Sequence, residues 1–151
     1  GGGKWAVKQE RDPIDDAERV VFFLQADEGQ PRSLGATLDF IVRCRKGQVE
    51  VFLDYSAYLG LGRPSVTFRI GDAKPVTQVW NASGSYRAAF APQPQQLLRQ
   101  LFASNRFVAQ LTPYNEQPLP AVFDTAGLKT LLERHSQTCG WSAAPAQEAG
   151  Q

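Results

Sequence analysis

Between Leu38 and Tyr55 apolar and polar positions alternate in two successive runs. Leu38, Phe40, Val42 and Cys44 interleave with Asp39, Ile41, Arg43 and Arg45; Val49, Val51, Leu53 and Tyr55 interleave with Glu50, Phe52 and Asp54. A period of two is that of a strand with one face turned to a core. Lys46-Gly47 separates the runs. Gly47 is free to take a positive φ, so the spacing predicts a two-residue hairpin turn. That turn sets Cys44 opposite Val49, Val42 opposite Val51 and Phe40 opposite Leu53, all on one face, with Arg43 meeting Glu50 on the other. One pair opposes this register. Asp39 falls opposite Asp54, and like charges facing across a ladder cost stability, so the ladder is expected to end before that pair or to bulge around it.

Shorter runs with the same signature occupy residues 5–7, 19–25, 65–70, 76–80, 86–90, 106–112 and 119–123. Turn-rich stretches divide them at 11–17, 26–35, 56–64, 71–75, 81–85 and 113–120. Two segments switch to helical spacing. Residues 93–104 place Leu97, Leu98, Leu101 and Phe102 on one face, with Pro94 near the start. Residues 125–137 do the same with Leu128, Leu131, Leu132 and His135, with Asp124 or Thr125 as N-cap and Gly127 as a weak point. The pattern predicts a mainly β (α+β) fold, an antiparallel β-sandwich or partly open barrel of roughly seven to nine strands with two helices. One domain is expected over residues 1–141. Residues 142–151 have nothing to bury and are expected to form a disordered tail.

Composition narrows the function classes. The chain has 151 residues, 42% of them hydrophobic, and a net charge of +1. That balance gives no electrostatic footprint for nucleic acid. No apolar run approaches the ~18 residues of a membrane-spanning helix. The chain lacks Met and starts GGGKW, which reads as a mature fragment whose targeting segment has been removed. Cys44 and Cys139 are too isolated for a zinc knuckle. They are either two buried thiols or one disulfide across a long ring, and a disulfide would imply an oxidising compartment.

A search for chemistry finds little. His135 is the single histidine, and no G-x-S-x-G elbow surrounds any serine. A lone histidine on an amphipathic helix is usually packing rather than catalytic. Asp12, Asp15 and Asp16 cluster, with Asp27 and Glu28 further on, but without the EF-hand pattern they read as a solvated turn. Gly60-Leu-Gly62 is too short for a phosphate loop. Arg69, Trp80, Tyr86, Arg87 and Tyr114 are candidates for a binding face, although aromatics in a β-rich domain more often fill its core. No catalytic residue, metal ligand or cofactor is assigned.

The order of motifs carries a resemblance. Trp5-Ala-Val7 leads; Leu38 to Cys44 follows with Val49-Glu-Val51 behind it; then come Val66-Thr-Phe-Arg-Ile-Gly71, Trp80-Asn-Ala-Ser83 and Tyr86 to Phe90. Thr112-Pro-Tyr114, Ala121-Val-Phe-Asp124, Gly127-Leu128 and Cys139-Gly-Trp141 complete the set. From about Trp5 to Trp141 this resembles the VasI/TagO family of type VI secretion-associated proteins. The resemblance implies an exported, periplasmic accessory protein of the secretion machine. Together with the lack of a catalytic constellation in the residues, a non-enzymatic module contacting protein components of the secretion apparatus or the cell envelope is expected. It brings no established catalytic residues. Gly84 stands where that family has a polar residue after the Trp-x-x-Ser step. The resemblance also implies that Cys44 and Cys139 are bonded. Docking the Leu128, Leu131 and Leu132 face on the inward face of the hairpin would then bring the two cysteines together. The alternatives are an enzyme acting on peptidoglycan and a small-ligand-binding protein. Residues 113–120 (PYNEQPLP) hold three prolines and cannot continue a central strand. They are expected at the rim, where Tyr114, Asn115 and Glu116 would meet a partner.

Overall fold

The computed structural model describes residues 3–27, 38–55, 59–112 and 117–142. Ten strands and three helices follow one another in the order β1 (Ala6–Arg11), β2 (Glu18–Gln25), β3 (Leu38–Arg45), β4 (Gln48–Tyr55), β5 (Ser65–Ile70), β6 (Val76–Val79), β7 (Asn81–Ala82), β8 (Ala88–Phe90), α1 (Pro94–Leu101), β9 (Arg106–Leu111), β10 (Leu119–Asp124), α2 (Leu128–Arg134) and α3 (Ser136–Cys139). Every strand pairing is antiparallel. One sheet has the order β1-β2-β3-β4-β8-β7 and the other β10-β9-β5-β6. We call them the large and the small sheet.

Their inner faces meet as a sandwich, as the short alternating strands require. Phe40 of β3 lies 4.9 Å from Phe107 of β9 and 5.7 Å from Phe123 of β10, ring centre to ring centre. Val20, Phe22 and Leu24 of β2 and Val51, Leu53 and Tyr55 of β4 complete the inner face of the large sheet, nearly all fully buried. Along one side the sheets are tied by polar contacts. The Asp27 amide donates to the Val122 carbonyl at 2.7 Å, and Lys4, which also pairs with Asp27 at 2.9 Å, reaches Asp124 of β10 at 3.6 Å. On the other side the chain passes from β6 to β7 through Trp80, which is fully buried and donates its indole N–H to Gln78 Oε1 at 3.0 Å.

The β3–β4 hairpin has the register that its alternation dictates, with Cys44 opposite Val49 and Arg43 opposite Glu50. Its two turn residues both have positive φ, 52° at Lys46 and 78° at Gly47, the conformation of a twist-matched tight turn. The ladder does not stop before Asp39. It runs through Asp39↔Asp54 to Leu38↔Tyr55 without a bulge. The reason is one of magnitude. Facing like charges cost about 0.2–1 kcal/mol, whereas each large apolar side chain buried gains about 1.5–3 kcal/mol. Leu38, Phe40, Leu53 and Tyr55 flank the pair and are all buried.

Other boundaries shift for local reasons. Asn81 and Ala82 form β7 against Phe90 and Ala89 rather than a turn. The turn falls at residues 83–86, where Tyr86 has φ 58°, so the last strand of that hairpin starts at Ala88. Helix α1 ends at Leu101. The helix expected at 125–137 starts late and breaks once. Gly127, not Asp124 or Thr125, is the N-cap, and His135 leaves the helical region at φ −115° and divides α2 from α3. Thr125 instead closes the loop before it: its amide donates to the Asn105 carbonyl at 2.8 Å, and its own carbonyl accepts the Trp5 indole N–H at 3.4 Å.

Breaking the helix at His135 turns α3 across the β3–β4 turn. The Gly47 amide donates to the Thr138 carbonyl at 3.0 Å. Cys44 and Cys139 are bonded there, with their Cα atoms 4.5 Å apart and 95 residues between them in sequence. Gly140 ends α3 in the left-handed region at φ 62°, and a Cβ at that position would collide with the Gly47 carbonyl oxygen. Leu128, Leu131 and Leu132 of α2 and Leu97, Leu98 and Leu101 of α1 join the same core. Arg99 of α1 stacks over Trp141 at 4.4 Å and donates to the Ser142 carbonyl at 3.2 Å.

Candidate functional site

The residues singled out in the sequence do not converge. Trp80 is in the core. Arg69 lies on the outer face of the small sheet, where it donates to the Ala73 and Asp72 carbonyls in its own turn. Tyr86 and Arg87 sit in the β7–β8 turn. Tyr114, Asn115 and Glu116 lie outside the described residues; Pro120, from the same segment, is on the edge strand β10. His135 packs its ring 5.5 Å from Phe22 at the junction of α2 and α3. Asp12 and Asp15 accept the Ile14 and Ala17 amides and pair with Arg45 and Lys46, which holds both carboxyls below the ordinary range. No group of three or more His, Cys, Asp or Glu able to hold a metal is found among the described residues.

Two surfaces stand out instead. On the outer face of the large sheet, Phe23, Ile41, Phe52 and Phe90 lie side by side across four strands. Phe52 and Phe90 stack at 4.4 Å, and the Arg43 guanidinium, held by Glu50, lies 5.0 Å over Phe52. Next to this row is the Asp39–Asp54 pair. Desolvation raises both carboxyls above the usual range, and the Asp54 charge raises Asp39 further. Ile41 and Phe52 in this row are nonetheless buried.

The second surface is open. Strand β6 ends the small sheet, and among the described residues no further strand pairs with it. Between it and α1 runs a groove formed by two cavities of about 290 and 330 Å³ that share Phe68 and Gln100. Gln78 and Val79 of β6 face Gln93, Gln96 and Leu97 across the first cavity. Ile70, Lys74, Val76 and Ala103 surround the second. Val76 and Val79 are 43% and 49% exposed. Among the described residues, Lys74 is the one charged side chain lining either cavity. The groove could not be read from sequence because β5, β6 and α1 contribute to it from positions 68 to 103. A signal did exist: β6 (VTQV) has neither a charge nor a proline.

The other three edges are guarded. Strand β1 (AVKQER) carries Lys8, Glu10 and Arg11, β7 has only two residues, and β10 contains Pro120 and receives the Asp27 amide at Val122. Charges, prolines, shortness and cover are the usual means of keeping an edge from pairing with other chains. By this measure β6 is the edge left available among the described residues.

Fold and groove together define a disulfide-pinned antiparallel β-sandwich that, among the described residues, leaves one strand edge open beside a helix. Compared with family models, curated proteins and solved structures, the chain matches none.

Proposed function

We propose that this chain is a periplasmic accessory protein of a type VI secretion system. It acts as a non-enzymatic binding module for protein components of the apparatus or the envelope. The observation that carries the binding role is the groove between β6 and α1, an unguarded sheet edge flanked by exposed valines. The Cys44–Cys139 bond supports an oxidising, extracytoplasmic compartment. No helix among the described residues is long and apolar enough to cross a membrane. The secretion-system assignment rests on the motif order from Trp5 to Trp141.

The test is a pull-down with the oxidised protein as bait and the periplasmic domains of the apparatus membrane complex as prey. Retention of at least one domain is expected; retention of none overturns the assignment. One observation favours the alternative of a peptidoglycan-modifying enzyme: the Asp39–Asp54 pair, since two carboxyls with raised pKa are a common acid–base arrangement. Beside them on the neighbouring strands lie Gln25 and Ala88. A peptidoglycan zymogram separates the readings. No clearing is expected, and clearing abolished by Asp54→Asn would establish the enzyme.

A further inference from the structure

We propose that the free edge of β6 accepts an extended segment of a partner protein as an additional strand of the small sheet, and that this segment carries a carboxylate for Lys74 and an apolar side chain for the pocket over Phe68. The proposal rests on the reading of the groove as a binding site and adds the chemistry of its occupant.

The backbone supplies the donors and acceptors. The Trp80 amide donates to the Pro64 carbonyl at 2.8 Å, which makes Pro64/Trp80 a hydrogen-bonded pair. Such pairs alternate along an antiparallel ladder. Val66/Gln78 and Phe68/Val76 are therefore bonded to each other, and Ser65/Val79 and Thr67/Thr77 are not. The 2.8 Å contact between the Thr67 and Thr77 hydroxyls fits the closer approach of side chains in a non-bonded pair. The amides and carbonyls of Thr77 and Val79 consequently point away from β5. No backbone partner for them is found among the described residues. An arriving strand would find two amides and two carbonyls in register, which is the basis of recognition by strand addition.

Side chains set the occupant. Four glutamines, Gln78, Gln93, Gln96 and Gln100, line the first cavity and can donate or accept. The second is apolar apart from Gln100 and Lys74, and among the described residues no carboxylate lines either cavity. A partner residue pointing into the groove meets Phe68, Ile70 and Ala103, and a carboxylate nearby meets Lys74. A basic segment would meet only a cation.

The test uses the intact oxidised protein and a random linear-peptide library displayed on phage. Enrichment of peptides that combine an apolar residue with an acidic one is expected. The best of them, synthesised, should slow hydrogen exchange at the Thr77 and Val79 amides. N-methylation of alternate peptide amides, which leaves the side chains in place, should weaken binding roughly tenfold or more. Val79→Pro removes an outward donor without touching the β5–β6 ladder and should weaken binding to a similar degree with little change in melting temperature. Lys74→Glu should reverse the preference for acidic peptides. The proposal is overturned if no peptide is enriched, if enriched peptides protect other amides, or if N-methylation leaves affinity intact. Concentration-dependent protection of Thr77 and Val79 in the protein alone would overturn it in favour of a second copy. A chain that retains apparatus domains but binds no extended peptide sinks this inference alone; peptide binding without such retention sinks the secretion-system assignment alone.

Discussion

At Asp39 and Asp54 the fold tolerates a local cost for a larger gain. Both carboxyls hold their protons more tightly in the folded chain than in the unfolded one, through desolvation and, at Asp39, the charge of Asp54. The sign follows from linkage. Below the ordinary carboxylate range both states are protonated and the penalty is absent; as pH rises through the raised folded values, stability is lost. Asp54→Asn should therefore stabilise the protein by roughly 0.2–1 kcal/mol at neutral pH, with the gain vanishing as pH falls below the ordinary carboxylate range. Urea unfolding of both proteins from neutral to acid pH checks it, and an equal gain at both ends would rule out the charge mechanism. Gly140 is the opposite case, a residue with no latitude. Its left-handed φ and the closeness of the Gly47 carbonyl oxygen leave no room for a side chain. Gly140→Ala should cost roughly 2–4 kcal/mol, combining left-handed strain with overpacking. Thermal unfolding measures this, and a loss under about 1 kcal/mol would mean that the contact relaxes freely.

At the scale of elements, the hairpin was legible because two independent signals agreed: alternation, broken only at Ile41 and Phe52, and a turn of the right length. The helices were legible as apolar faces but not as geometry. Leu128, Leu131 and Leu132 announce a helix, yet nothing local to His135 announces the break, which exists because α3 must cross the β3–β4 turn to reach Cys44. The bridge ties the C-terminal helices to the large sheet, and in the loop-closure picture a ring of this length constrains the unfolded chain strongly. Reduction should cost about 2–5 kcal/mol. It should also expose the segment after Leu128 to limited proteolysis while the strands stay protected. A protease pattern unchanged by reductant would show that packing of Leu131, Leu132 and Trp141 alone holds the helices down.

For the whole molecule, the sandwich was legible from many short strands separated by turns, whereas the order of strands within each sheet was not. Alternation identifies which side chains point inward but not which strand ends a sheet. The edge position of β6, and with it the groove, emerges only when the chain closes. If β6 is where the protein meets the secretion apparatus, a partner must come within reach of Val79 in the living cell. Photocrosslinking in cells that assemble the apparatus reads this contact, with a photoreactive amino acid in place of Val79 and, as a control, in place of Ile14, which is 92% exposed in the turn before β2. A discrete adduct with an apparatus or envelope protein is expected from position 79 and none from position 14; no adduct from position 79, or the same adducts from both, would contradict a partner site at this edge.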